Sequence, residues 1–330
     1  MIKRNRTRLL IPLLALALGT SAISPTATAA SSNAPMRIVI GFAPGGALDI
    51  LARTLAEKLR ISLGKTVIVE NRPGASSRVA LEHVVRAPAD GNTVLISSSS
   101  PLIIFPLTYK RLSYDADADL QPIARIANVP AVASAGVQQP YRTMEEYLAW
   151  VKQNPSQGSV GLSALGGVLH FGLLTLSEAI DIPLVPIPYR GAAMMLTDEI
   201  GGTLPLGIDA VAGQVELYRS GKIRFLGVTG TERSTLLPEV PTFQEAGAPG
   251  FEAASGWYGA FVPKGVPAAT VAKIEKALLD AAADPEVVEK IAPLGLEMSG
   301  KPGAELRQQI LEERAKWKPI VEASGFTADS

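Results

Sequence analysis

The chain has 330 residues, no cysteine, and 31 basic against 31 acidic residues. Without cysteine it can form no disulfide, thiolate metal site or cysteine nucleophile. The balanced charge, with no long run of one sign, argues against nucleic-acid binding, which leaves a basic footprint. The length is a soft prior for two domains.

Lys3, Arg4, Arg6 and Arg8 form a basic leader. The apolar run over residues 9–18 falls short of the ~20 residues that span a bilayer. Ala27-Thr28-Ala29 has the small-x-small pattern of a cleavage site. Residues 1–30 therefore read as a signal peptide, with an uncleaved membrane anchor as the alternative. Removing them leaves 27 basic against 31 acidic residues. An exported chain with no cysteine for lipid attachment and no second apolar span is expected free in the periplasm of a Gram-negative cell.

Residues 38–42 read as a buried strand. Phe42-Ala43-Pro44-Gly45-Gly46 then turns the chain, and a helix opens at residue 47. Such a turn brings bare backbone close to whatever sits above the strand, and the helix aims its free N–H groups at the same place. That arrangement makes an anion site without lysine or arginine. The helix, residues 47–63, carries Leu51, Leu55 and Leu59 at i, i+4 spacing and stops at Gly64. Residues 66–70 form a second strand, 77–86 a helix and 93–97 a third strand. This β-α-β-α-β order implies a parallel sheet with helices on its faces.

Residues 101–122 look like a linker, with little periodicity. After an apolar stretch at 123–129, Thr143 and Glu146 form a capping box for a helix reaching about residue 154. A second alternating series follows: strands at 159–162, 184–188, 206–209 and 223–228, with helices at 166–180, 191–200 and 211–220. Thr242 and Glu245 make another capping box. Residues 257–262 form a strand with alternating aromatics. Helices at 268–283 and 303–323 close the chain, the second with an expected kink at Pro319. Two α/β units suggest two lobes, with a ligand cleft at the carboxyl ends of the strands.

Several short motifs carry a resemblance. They are residues 42–49, Val69-Glu70-Asn71-Arg72-Pro73-Gly74-Ala75, Ala89-Asp90-Gly91-Asn92-Thr93 and Pro188-Tyr189-Arg190-Gly191. Leu237-Pro238-Glu239-Val240-Pro241-Thr242 and Trp257-Tyr258-Gly259 complete the series. In this order and spacing, from about Met36 to Gly325, the chain resembles the Bug-type, TctC-like periplasmic solute receptors of tripartite tricarboxylate transporters. The resemblance implies an α/β, two-lobed periplasmic-binding-protein fold, type II-like, each lobe a mainly parallel sheet flanked by helices. Lobe 1 would comprise residues 36–130 plus 256–330, and lobe 2 residues 131–255. It also implies a small carboxylate ligand, a membrane permease as partner, and no cofactor or metal. A monomer is expected.

In that family the loops matching residues 42–49 and 162–170 face each other across the cleft, and an acidic position falls on Asp209. The 162–169 loop departs from the family's Gly-, Ser- and Asn-rich pattern with Leu162, Leu165, Val168 and Leu169. Leu174, Thr203 and Pro205 depart as well. A greasier loop implies a less polar ligand than aspartate or citrate.

Ligand contact is accordingly expected from Phe42, Ala43, Pro44, Gly45, Gly46 and Asp49 on the first loop. Ser98 and Ser99 would add hydroxyls at the third strand's end. Ser163, Gly166, Gly167 and His170 would face them, with Tyr189, Arg190 and Asp209 deeper in the second lobe. Each has a plainer reading. Gly45 and Gly46 could simply make a tight turn, and Asp49 could be a first-turn acid favoured by the helix dipole. His170 could cap or pack, Arg190 could be a solvated charge, and the serines could be ordinary loop chemistry. Trp257 reads as hinge packing rather than ligand stacking. Gly161-Leu162-Ser163-Ala164-Leu165 is a near miss to G-x-S-x-G. Its last glycine is missing and no histidine follows Asp209, which disfavours a serine hydrolase.

Transport reception is the leading function. Ligand sensing for a two-component system is the alternative. N-terminal sequencing of protein released from the periplasm is expected to return Ala30 or Ser31. Met1 recovered from a membrane fraction would contradict the export reading.

Overall fold

The computed structural model describes residues 34–328. The expected signal peptide lies outside the described residues. In chain order, β1 (Met36–Ile40), α1 (Ala47–Leu63), β2 (Val67–Asn71), α2 (Arg78–Val85) and β3 (Thr93–Ser98) form the first alternating unit. Ile38, Val39 and Ile40 are fully buried in β1, and so are Leu51, Leu55 and Leu59 on one face of α1. The apolar period of each segment thus becomes the face it buries.

The expected linker is instead part of the core. Two short helices, α3 (Ser100–Ile103) and α4 (Phe105–Thr108), lead into β4 (Leu120–Val129). Leu102, Ile103, Ile104 and Phe105 are all buried. Four consecutive apolar residues on single helical turns are too short to show a period, so burial rather than pattern orders them.

Past Pro130 come β5 (Ala131–Gly136), α5 (Met144–Gln153), β6 (Ser159–Leu162), α6 (Val168–Ala179) and β7 (Val185–Pro188). The series continues with α7 (Ala192–Gly201), β8 (Leu206–Ala210), α8 (Val215–Arg219) and β9 (Ile223–Val228). Finally β10 (Gly256–Pro263), α9 (Ala268–Ala283), α10 (Pro285–Ile291), β11 (Glu297–Pro302) and α11 (Gly303–Ser324) return to the first sheet. α11 runs on through Pro319 as one helix.

The first sheet has the order β11-β4-β10-β3-β1-β2, the second β7-β6-β8-β5-β9. The α/β class and the two-lobed plan are as the sequence implied. Strand direction is not: both sheets are mixed rather than mainly parallel. β1 pairs in parallel with β2 and β3, but β4, β10 and β11 are joined antiparallel. In the second sheet β6 is parallel to β7 and β8, while β5 runs against β8 and β9. Apart from the edge strand β11, the strands in antiparallel pairs include those through which the chain passes from one sheet to the other. β4 runs directly into β5, and β10 brings the chain back.

Three further elements had no readable signal. β5 is built of Ala, Val, Ser and Gly and is buried throughout, so it shows no alternation. β11 is a half-buried edge strand held by pairing with β4. α10 is a short capped helix, its Asp284 accepting the Glu286 N–H. The capping box at Thr242 does form. Thr242 Oγ1 accepts the Glu245 N–H at 3.1 Å, and Glu245 Oε2 accepts the Thr242 N–H at 2.8 Å. It closes a turn rather than opening a helix, because Thr242 is tied to Val228 of β9.

One buried polar cluster sits inside the second lobe. Glu199 and Ser134 are fully buried and Gln214 nearly so. Ser134 Oγ lies 2.5 Å from Gln214 Oε1 and 3.1 Å from Glu199 Oε2. A serine hydroxyl has one proton, so it can serve only one of these acceptors. A protonated Glu199 donating to Ser134 lets Ser134 donate to Gln214. Burial, only partly opposed by Ser134, pushes the Glu199 carboxyl up to about 7. Its folded value lies above its unfolded one, so its contribution is complete below pH ~4.5 and is lost as pH rises through ~7. Glu199→Gln is therefore expected to stabilise the protein at pH 8, by on the order of 2 kcal/mol, with the gain vanishing at pH 5. Urea melts at both pH values measure this.

Candidate ligand-binding cleft

A cavity of about 170 Å³ lies between the two sheets. The end of β3 and the start of α3 supply Ser98, Ser99 and Ser100. The turn from β6 into α6 supplies Ser163, Ala164, Gly167, Val168 and Leu169. The passages between sheets supply Val129 and Ala131 on one side, and Gly256, Trp257 and Tyr258 on the other. Ala210, ending β8, closes the wall. These are carboxyl ends of parallel strands together with the crossing strands, the position at which open α/β sheets hold ligands. The lining is apolar with a few hydroxyls, and it includes no lysine or arginine.

Four of the expected residues line the cavity: Ser98, Ser99, Ser163 and Gly167. The others are not among its lining residues. Phe42, Ala43, Pro44, Gly45 and Gly46 form an exposed turn above β1. The Phe42 ring meets the Tyr258 ring edge-on, with centroids 6.4 Å apart, so the turn borders the cavity. Gly45 holds a left-handed φ of +87°, which a side chain would strain. Its amide is already used, donating to Asp49 Oδ2 at 2.9 Å. Gly46 is the extended N-cap of α1 and makes no side-chain cap. A Cβ built there would meet only the Ala43 carbonyl, 3.9 Å away.

Asp49 is buried beneath the turn. Its Oδ2 also accepts from Arg53 Nε at 2.9 Å, and its Oδ1 from Asn71 Nδ2 at 2.8 Å. Asn71 Nδ2 reaches the Phe42 carbonyl as well, at 3.1 Å. Asp49 thus braces the turn, and Asn71 does so from β2. The Arg53 hydrogen bond, with those from Gly45 and Asn71, holds the Asp49 carboxyl down at about 2 against the opposing cost of burial.

In the second lobe, Asp209 is the penultimate residue of β8, next to the cavity-lining Ala210. Its Oδ1 accepts the Ala210 N–H at 2.8 Å, and it is hydrogen-bonded to the Ser163 side chain. Burial pushes its carboxyl up, and those two bonds offset part of the effect. Burial, with the Asp209 charge adding to it, lifts the Tyr258 hydroxyl to about 12. His170 is buried, and its Nδ1 accepts the Gly166 N–H at 3.3 Å. Burial lowers its pKa, which keeps the ring neutral and able to accept. Ser163 is thus engaged with Asp209 and His170 with the Gly166 amide. The Tyr189 hydroxyl donates to Asp198 at 2.9 Å, and Arg190 is exposed on the surface.

Among the greasy loop residues, Val168 and Leu169 face the cavity, whereas Leu162 is fully buried in the core and Leu165 is exposed. Trp257 is both packed in the core and part of the cavity wall. It is nearly fully buried, and its Nε1 donates to Glu313 Oε2 at 3.0 Å. Tyr258, Val129, Ala131, Gly256 and Ala210 had no signal as site residues. They line the cavity because the strands carrying them cross there.

The sequence model described as the tripartite tricarboxylate transporter family receptor matches residues 51–326. The chain is 30% identical to Protein BugT of Bordetella pertussis over 97% of this chain and 98% of that protein. The chain belongs to this receptor family. Solved structures agree. Periplasmic binding protein BugD superposes with a TM-score of 0.76 at 31% identity, covering 89% of this chain and 99% of that one. Rpa4515 of R. palustris, solved with adipate, gives 0.80 at 29% identity, covering 89% and 98%. MatC of Rhodopseudomonas palustris, solved with bound malate, gives 0.75 at 27% identity, covering 87% and 98%. Among the described residues of this receptor, no helix is long and apolar enough to cross a membrane.

Asp49 sets a test of the brace. Its folded pKa is depressed, so its contribution is present above the unfolded value and lost as pH falls through about 2. Asp49→Ala is expected to cost about 1–2 kcal/mol at pH 7, discounted because Arg53 is half exposed. The difference should shrink steadily below pH ~4. Chemical denaturation across that range measures it.

Proposed function

We propose that this receptor is an extracytoplasmic solute-binding protein that captures a small carboxylate between its lobes and delivers it to a tripartite tricarboxylate-type membrane transporter. The observation that carries the reading is the cavity itself. It joins serine hydroxyls from both lobes to an apolar wall, beside a glycine turn and an uncapped helix N-terminus. Two relatives of the same fold hold adipate and malate. The periplasm is its place of action, and its role is binding rather than turnover.

In this reading the carboxylate meets the backbone of Phe42–Gly46 and the hydroxyls of Ser98, Ser99 and Ser163. Gly45 contributes shape rather than its amide, because Asp49 already takes that proton. Asp49, Gly166 and His170 act by holding the loops. Asp209, through Ser163, sets the polarity of the second-lobe wall.

The first experiment is calorimetry on the folded Gly46→Val protein. The position has ordinary extended backbone and open space, so folding should be retained. A β-branched side chain there blocks close approach to the helix N-terminus. Losing one or two charge-assisted hydrogen bonds should weaken carboxylate binding by more than ~10-fold. Unchanged affinity for adipate would remove the turn from the site.

The lining sets a second expectation. A preformed apolar wall with no cation penalises polar bodies that lose water without gaining a partner. Adipate and benzoate are expected to raise the melting temperature more than citrate or aspartate. Tight citrate binding with the others inert would refute this.

A further inference from the structure

The wall that the second lobe gives to the cavity is held from behind by an aromatic side chain of the first lobe. α11 ends at Ser324, whose hydroxyl accepts the Phe326 N–H at 3.1 Å. Two residues later the Ala328 N–H donates to the Thr108 carbonyl at 3.0 Å, and Ala328 bridges Tyr109. Both anchors belong to the first lobe, so residues 325–328 form a short arm fixed at each end.

The side chain between those anchors points at the other lobe. The Phe326 ring stands edge-on to His170, with centroids 5.0 Å apart, and edge-on to Phe171 at 5.8 Å. It also covers Gly166, where an added Cβ would meet the ring at 3.1 Å. Gly166 has a left-handed φ of +75°, so the ring seats on a turn that already requires glycine. His170 Nδ1 accepts the Gly166 N–H, which ties the seated turn back to α6. The same turn presents Ser163, Ala164 and Gly167 to the cavity. On the cavity side Ser100 Oγ lies 3.4 Å from the Val168 N, and α11 itself packs against α6, so the ring is one of several contacts between the lobes.

We propose that Phe326 is an interlobe latch, a positioning residue that holds the turn between β6 and α6 against the first lobe and so keeps the cavity in its present shape. His170 is its seat. The crossings between the sheets are covalent and persist however the lobes move. The ring contact is not covalent, and it must break when the lobes part. A residue in this place sets how readily the cleft opens without touching what lies inside it. The proposal rests on reading this cleft as the ligand site, but its test needs no ligand.

The chain has no native cysteine, so introduced ones carry labels without background. Ile61 on α1 and Met194 on α7 are exposed positions on the two lobes. Ile61→Cys with Met194→Cys, spin-labelled, reports lobe separation by pulsed electron paramagnetic resonance. In this background Phe326→Ala is expected to move the distance distribution to longer, broader values. Phe326→Tyr, which keeps the ring edge, is expected to restore the parent distribution. A chain ending at Gly325 should behave like Phe326→Ala, and circular dichroism checks that each variant is folded. Superimposable distributions for folded Phe326→Ala and the parent would overturn the latch. So would a Phe326→Tyr protein as open as Phe326→Ala. Failure of the parent to bind adipate in calorimetry would count against the carboxylate reading and leave the distance measurement intact.

Discussion

The cleft depends on one constraint: the chain passes between its two sheets, and the passages lie side by side. Val129, at the end of β4, pairs with Gly256 at the start of β10. Just past Pro130, Ala131 gives its N–H to Thr229 Oγ1 and accepts the Thr229 N–H, both at 2.9 Å. The Val211 N–H closes on the Pro130 carbonyl at 3.0 Å. Buried backbone polar groups have to be paired, so these bonds fix both passages against each other. The strand ends of the two sheets are thereby kept facing each other. The cavity is what remains between those ends.

The polar chemistry around the cavity follows a consistent economy. Charged groups are used to shape loops, and neutral groups are left facing the space. Asp49, with Arg53 and Asn71, is spent on fixing the glycine turn. Neutral His170 fixes the facing turn through one amide. What lines the cavity is serine hydroxyl, backbone and apolar side chain. For the proposed carboxylate, such a lining offers oriented N–H and O–H dipoles rather than a fixed cation. It needs its loops held still, because dipoles lose their advantage when they can turn away.

Much of this was legible in the chain. The apolar spacing of residues 47–63 marks α1, and the Pro-Gly-Gly turn before it marks a place of close backbone approach. The serines after β3 and Ser163 after β6 stand at strand ends, and strand ends in an α/β order point to one edge. The position of a residue along its own element is a local property, so local pattern reports it. Signals failed where local pattern carries no information. β5 is small and buried on both faces, β11 is a half-exposed edge, and α3 and α4 are single turns.

By itself the sequence determined most of the element types, the two α/β units, the order of the loops that meet at the cleft and the family. Only the tertiary structure decided which side chains act on which. Asp49 and Gly45 are four residues apart, yet their bond depends on a turn whose far side is pinned by Asn71 of another strand. Phe326 and His170 are far apart in the chain and meet only because α11 ends against α6. Strand direction in β4 and β10, and the cavity positions of Tyr258 and Ala131, likewise follow from the paired passages. Such contacts join distant segments through packing and loop closure, and no window along the chain contains both partners.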